Sequence, residues 1–434
     1  IPGHTALSSA HPMKKLFYGW RVAASGSALQ FLQSMLLNQA FGVYVAVLYE
    51  EKGWSKTALS AAAAMKSTEV AALGPILGWM VDRFGAQGLV RLGVIIFGVG
   101  MMLLSRIDTL LQFYAAFFIV ALGSSMFSNF LVSISIIQWF EKSRTRALSM
   151  LQFGGALGGL FVFVVAASIQ AFGWRWTAFG SGVAAILIGY PLANMVKSRP
   201  SDMGLTVDGL PATPKATVIQ TGQAEQKPEA PAQRSFTARE ALRTSAFWLL
   251  SIGHAFSLLV VIAFNVHGVN HIKQGLGYSL AAASLFFTLV TVGQALGVML
   301  GWLIGEKFAK RKVAATCMLM HSLGLLGATY AFSPWMLAAC ILLHGIGWGL
   351  RGPFMQAIRA DYFGRNSIGV ILGLSTLITV FGNIGGPIIA GMFGDYFGNY
   401  RAGFTLLAML ALFGALFFLM AKPPKLPVAR EQAV

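Results

Sequence analysis

Leu73-Gly74-Pro75-Ile76-Leu77-Gly78-Trp79 returns 223 residues later as Leu296-Gly297-Val298-Met299-Leu300-Gly301-Trp302. At the same offset Trp139-Phe140 meets Tyr362-Phe363, and each pair opens a basic turn, Lys142-Ser143-Arg144 in one copy and Gly364-Arg365 in the other. Two matches at one offset mark a duplicated architecture. Around them lie twelve apolar stretches, at 20–45, 57–81, 89–104, 110–140, 147–172 and 174–195, then at 246–272, 279–305, 313–330, 334–362, 367–393 and 402–420. A helix of roughly 20 apolar residues crosses a hydrocarbon core. The expected fold is therefore an all-α membrane protein, with twelve transmembrane helices in two six-helix pseudo-repeated bundles. The bundles are expected at 13–195 and 246–421, and repeated halves point to a transporter that rocks one bundle against the other around a midplane site.

Composition agrees. Of 434 residues, 56% are hydrophobic and 11% charged, against about a quarter charged in a soluble domain. Met13-Lys14-Lys15 before an apolar run resembles a signal peptide, but the run is too long and lacks a small-residue cleavage site, so it is expected to be the first span. The formal charge of +17 is scattered between spans, which argues for topology and against nucleic acid. With the termini and alternate loops on one side, 24 Lys and Arg collect there. Lys52, Lys56, Arg106, Arg175, Lys273 and Arg401 fall on the other. The positive-inside rule then makes both termini cytoplasmic, in a cell inner membrane. Cys317 and Cys340 lie in apolar stretches and support neither a disulfide framework nor a metal site.

Between the halves, 196–245 is rich in Pro, Ala, Thr and Gln and reads as a flexible cytoplasmic linker. Its end, Thr237-Ala238-Arg239-Glu240, has the spacing of a capping box opening a short surface helix. No phosphate-binding glycine loop, metal-ligand spacing or nucleophile beside a base is present, so an enzyme is not expected.

Gly78-Trp79-Met80-Val81-Asp82-Arg83-Phe84-Gly85, where the second span returns to the cytoplasm, resembles the loop signature of the major facilitator superfamily. Glycines permit close helix approach, Asp82 can pair with a basic group or cap a neighbouring helix N-terminus, and Arg83 stays on the positive face. The expected role of Gly78, Asp82, Arg83 and Gly85 is a conformational latch. Its second copy, Gly301-Trp302-Leu303-Ile304-Gly305-Glu306-Lys307-Phe308-Ala309, has one inserted residue, Glu306 for the aspartate and Ala309 for the last glycine, so a latch through Glu306 and Lys307 is expected to be weaker or differently paired. Phe17-Tyr18-Gly19-Trp20-Arg21, Gly53-Trp54-Ser55, Ser198-Arg199-Pro200-Ser201-Asp202 and Asp361-Tyr362-Phe363-Gly364 look like the oxalate/formate antiporter and monocarboxylate transporter branch. That resemblance implies carriage of small organic anions, by proton symport or anion exchange, by a monomer driven by a proton or counter-anion gradient without cofactor or metal.

Ionisable groups within spans cost about 2.5 to 3.5 kcal/mol each on insertion scales and are candidates for function. Lys66 and Glu69, one turn apart on span two, and Arg351 in span ten are the deep ones. Arg351 presents a planar, permanently charged fork suited to a carboxylate, Lys66 would share that charge, and Glu69 would take or release the proton. Related transporters often place a basic residue in span eight or eleven, and this sequence has none there. His254, Asn38, Gln33, Asn129, Asn265 and Asn383 are further candidates to line a substrate cavity. The alternatives are a self-neutralising Lys66–Glu69 pair and a structural Arg351. Gly154-Gly155 and Gly158-Gly159 in span five, with Gly293, Gly297, Gly301 and Gly305 in span eight, form small-residue faces, for rocking between halves or for static packing. A rival function is efflux of an amphipathic or cationic compound with Glu69 as the cation site. Drug/proton antiporters of the superfamily typically carry Gly-Pro in span five, where no proline occurs here.

Overall fold

The computed structural model describes residues 17–209 and 235–425. The segment 210–234 of the expected linker, and Met13-Lys14-Lys15, lie outside them. The described chain is built from helices. The first span, α1 (Tyr18–Lys52), carries a π-helical turn at Ser34–Asn38. It is followed by α2 (Lys56–Phe84), α3 (Ala86–Leu104), α4 (Leu110–Trp139) and α5, which starts with Arg144–Leu160 and runs on to 172. Gly173, at φ 79°, breaks the helix Val162–Met195 and hands the chain to α6 at 174–195. The second half repeats this with α7 (Ser245–Asn270), α8 (Leu280–Ile304), α9 (Lys310–Thr329), α10 (Pro334–Phe363), α11 (Ile368–Phe397) and α12 (Arg401–Met420). Three of them, α2, α9 and α10, are less apolar than the other spans. These carry most of the chemistry described below.

Local signals set the helix ends. Ser55, Ser279 and Ser333 cap α2, α8 and α10 by accepting from the backbone N–H three residues on, and Pro334 takes the first helical position, where its missing N–H costs nothing. Thr109 and Gln112 form a capping box at α4. The box expected at Thr237 is present. Its hydroxyl accepts from Glu240 N–H at 3.3 Å while the Glu240 carboxylate accepts from Thr237 N–H at 2.9 Å, opening the short helix Ala238–Leu242.

The buried core falls into two large clusters, one drawn from residues 22–196 and joined by Ala357, Ala360, Ile368 and Leu372, the other from 236–421. The sequence repeat becomes a structural one. Trp139 Nε1 donates to Lys197 O at the end of α6, and Tyr362 Oη donates to Ala421 O at the end of α12. Within each half, lipid offers no hydrophobic drive between helices, so glycines bring backbones into contact instead. A Cβ on Gly154 or Gly158 would lie 1.8 or 2.4 Å from backbone oxygens of α1, and one on Gly293 or Gly297 would lie 2.6 or 2.2 Å from oxygens of α10. The glycine faces of spans five and eight thus serve mainly packing inside each half. Gly301 and Gly305, facing Ser149 and Arg146 of α5, are where that face crosses between them.

Candidate functional site

The halves meet at the ends that carry the basic loops, called here the basic face. Asp82, at the end of α2, accepts hydrogen bonds from the N–H groups of Gly369 and Val370, both at 2.9 Å, and so caps the free N-terminus of α11. The approach depends on glycine: a Cβ on Gly78 would lie 2.2 Å from Gly369 O. The second copy does the same for α5. Glu306 accepts from Thr145 N–H at 2.5 Å and from its hydroxyl at 2.6 Å. Around it, Lys310 pairs with Glu306 at 3.0 Å and Asp361 at 2.7 Å, Arg144 pairs with Asp361, and Arg365 pairs with Glu141 at 3.4 Å. Of the expected latch residues, Gly78, Asp82 and Glu306 bridge the halves. Gly85, at φ 81°, turns the chain against Ser198, and Arg83 lies over the rings of Trp79 and Phe84 within its own half. Lys307 is exposed, and the cation paired with Glu306 is Lys310. At the opposite face, Lys52 and Arg175 bond to Asp108 and Tyr330 to Thr405, each within one half. The molecule is therefore latched at the basic face.

Above the latch is a cavity of about 280 Å³, lined by Gln30, Gln33, Asn38, Lys66, Ser124, Ser125, Ser128 and Asn129 of the first half and by Thr376 of α11. Its polar wall follows from two helix irregularities. The π turn in α1 presents Asn38, whose Oδ1 accepts from Lys66 Nζ at 2.6 Å, and such turns recur at functional sites. The break in α4 at Phe127–Ser128 frees carbonyls, so Gln30 donates to Phe127 O at 2.9 Å and Gln33 to Ser124 O at 2.7 Å. Lys66 has no carboxylate within 4.0 Å among the described residues. The self-neutralising pair with Glu69 is therefore not formed. Glu69 is 7% exposed, with one oxygen 3.5 Å from Ser125 Oγ and the other, Oε2, without a hydrogen-bond partner. Asn129 Oδ1 is likewise buried and unpartnered.

Arg351 does not join this wall. It is 2% exposed inside the second half, and its Nε and Nη1 have no partner. Lys66 precedes Asp82 by sixteen residues, about 24 Å of helix, and Arg351 precedes Asp361 by ten, about 15 Å. Since both aspartates sit in the latch, Arg351 lies nearer the basic face than Lys66, rather than at its level. The partly buried Asn265 and Asn383 are not among the lining residues of the cavity either. His254 is held beside Arg359, with Nδ1 3.4 Å from its Nη2. Arg359 was missed in the sequence. Also 2% exposed, it donates to Met355 O, Leu250 O and Ser375 Oγ at 2.9, 3.3 and 2.9 Å and has no acidic partner within 4.0 Å among the described residues. Its position four residues from the end of α10 made it look like part of the basic loop.

Residues 27–269 and 250–433 match the family described as Major Facilitator Superfamily. The chain belongs to the major facilitator superfamily. It is 26% identical over 304 residues to a probable hexose phosphate transport protein of Chlamydia muridarum, a match spanning 65% of each chain. It is 23% identical to monocarboxylate transporter 11 of Mus musculus over 94% of this chain and 88% of that one. The crystal structure of the human organic anion transporter MFSD10 superposes with TM-score 0.69 at 14% identity, over 94% of this chain and all of that one. The superfamily fold is twelve transmembrane helices in two bundles, and the two six-helix halves described above have that form.

Proposed function

We propose that this protein carries a small organic anion across a membrane by alternating access, with proton movement coupled to it. The observation that carries the reading is Lys66, an ammonium on the wall of a polar cavity, bonded to the neutral Asn38 and free of any acid within 4.0 Å. A charge so placed is costly in a membrane interior unless a counter-charge arrives. A volume of about 280 Å³ is below the range of drug-sized sites, about 300 to 1,000 Å³, and suits a small substrate. The monocarboxylate and organic anion names among similar proteins agree in charge, and the hexose phosphate name adds a second anionic group. A carboxylate is the first choice. Lys66 receives it from the open side, Asn38, Gln33 and Asn129 orient it, and Arg351 meets it as the second half closes over the cavity. Glu69, one turn from Lys66 with an unpartnered oxygen, is the proton site on this wall. The positive-inside rule makes the basic face cytoplasmic, so the latched form faces outward.

The test is uptake into proteoliposomes with thermal shift of the purified protein. Millimolar carboxylate bound with micromolar affinity stabilises by about 4 kcal/mol, and Lys66→Gln should lose that shift together with uptake. Uptake that requires internal anion and ignores pH would replace symport by exchange. Stabilisation by organic cations alone, with carboxylates silent, would overturn the anion reading.

A further inference from the structure

His321 of α9 and His344 of α10 are 0% and 1% exposed, and their Nδ1 atoms lie 3.3 Å apart. A neutral imidazole has one N–H and one lone pair. One ring therefore donates from Nδ1 and is bare at Nε2, whereas its partner accepts at Nδ1 and carries hydrogen at Nε2. Neither Nε2 has a hydrogen-bond partner. The bare Nε2 is a buried base with unusual support. Once protonated, its ring becomes a cation that donates Nδ1–H to a neutral imidazole, and a charge-assisted hydrogen bond is roughly twice as strong as a neutral one.

What opposes that proton is Arg351. It follows His344 by seven residues, two turns along the same stripe of α10, and it lies within Coulombic reach of both rings. Between them on the stripe, Gly347 lets α9 close in: a Cβ there would lie 3.1 Å from Cys317 O and 3.6 Å from His321 Cε1. The other titratable groups around these residues are His254 of α7, His271 at the end of the same span, Cys317 of α9, and Cys340 and Arg359 of α10. From α8 there is none, and the one on α12, Arg401, is at its first residue. Asp361, the one carboxylate on α7 through α10 and α12, is engaged in the latch with Arg144 and Lys310. Among the described residues, the surroundings of the pair are thus neutral or cationic. Arg351 itself is buried, with Nε and Nη1 unpartnered.

We propose that the His321–His344 pair is a second proton-carrying site, loaded when an organic anion on Arg351 cancels the guanidinium charge and unloaded when the anion leaves. The proton enters from water at the bare Nε2 and departs from the same atom, with no other bond changed. Anion and proton then raise each other's affinity by one shared factor. The proposal rests on the anion reading above and adds a site to it, in the half opposite Glu69. With Glu69 and the histidine pair both loaded, a monocarboxylate moves with two protons and one net positive charge.

The experiment is carboxylate uptake into proteoliposomes with and without an inside-negative potassium diffusion potential. Wild-type uptake should rise with the potential. His344→Gln and His321→Gln should bring the stoichiometry from about two protons per anion to about one, so uptake continues and the response to potential vanishes. A response that survives in both variants overturns the proposal, as does its loss in His254→Gln with His344→Gln unaffected. Should the histidine variants fold poorly, Glu69→Gln decides the matter with the pair intact. Adding carboxylate to that protein in weak buffer should still take up about one proton per bound anion. Binding without proton uptake overturns the histidine site alone, whereas no carboxylate binding or uptake by the wild type overturns the anion reading on which it rests.

Discussion

Gly78→Ala separates a latch from an ordinary helix contact. The new Cβ would stand 2.2 Å from the oxygen and 2.6 Å from the carbonyl carbon of Gly369, and 3.1 Å from Val370 N. These are backbone atoms and cannot swing aside. Reaching an ordinary contact of 3.4 Å requires α2 and α11 to part by about 1.2 Å. The two bonds that Asp82 accepts, at 2.9 Å, lie one turn further on and would stretch beyond the usual limit of about 3.2 Å. Each charge-assisted bond is worth about 1.5 to 3 kcal/mol, and water at the face replaces part of it, leaving a loss of about 3 kcal/mol for the two. That lowers the ratio of latched to unlatched molecules by about 150-fold. Alanine also favours the helix by about 1 kcal/mol over glycine, so local helix stability pulls the other way. The assay is maleimide labelling of Thr376→Cys, on the cavity wall, in a chain with Cys317 and Cys340 replaced, using a reagent that cannot cross the membrane. Labelling from the face opposite the basic loops should slow by roughly tenfold or more and labelling from the basic face should rise. Gly180→Ala, with nothing within 4 Å of its Cβ, is the control. Labelling of Gly78→Ala at the control rate would refute the latch.

The companion contacts make related tests. Glu306→Gln keeps the shape of the second cap but removes the charge that faces Thr145 N–H and Lys310, so the same labelling should shift in the same direction, by about 1 kcal/mol. Gly154→Ala is expected to behave differently. Its Cβ would lie 1.8 Å from Ser27 O within one half, so melting temperature should fall by several degrees while, among molecules still folded, labelling from the two faces keeps its ratio. At the opposite face, hydrogen bonds from Lys52 and Arg175 hold the Asp108 carboxyl below the usual carboxylate range. A depressed folded-state value contributes stability that is present above the unfolded value and lost as pH falls through the folded one. This loop should therefore show no change in protease sensitivity between pH 5 and 8, and a transition inside that window would contradict the pairing.

Spans and halves were legible because hydropathy is local and the repeat lies in the residues themselves. The capping box at Thr237 was legible for the same reason, since its partners are three residues apart. Side-chain partners across helices were not. Lys66 meets Asn38 from 28 positions away by way of a π turn that no local pattern announces. His321 and His344 are 23 residues apart and meet because α9 and α10 pack through Gly324 and Gly347. Small-residue spacing identified packing faces in spans five and eight, yet spacing alone does not say which neighbour a face meets. Arg359 was hidden by its place near a span end, where a basic residue ordinarily belongs to the loop.

The charge distribution bears on the order of steps in the proposed cycle. The first half brings Lys66, with Glu69 one turn away, while the second brings Arg351 and Arg359 with no acid within 4.0 Å among the described residues. Closing the empty molecule at both faces encloses these cations away from bulk water, where like charges repel far more than in a solvated cavity. A bound carboxylate removes one of those charges and offers the acceptor that Arg351 Nε and Nη1 lack. Closure is therefore easier loaded than empty. Exchange of labelled for unlabelled carboxylate, which never requires the empty molecule to reorient, should run faster than net uptake at the same external concentration. In Arg351→Gln the enclosed charge is smaller and the two rates should converge. Net uptake as fast as exchange in the wild type would show that the empty form reorients freely, and would remove Arg351 from the control of closure.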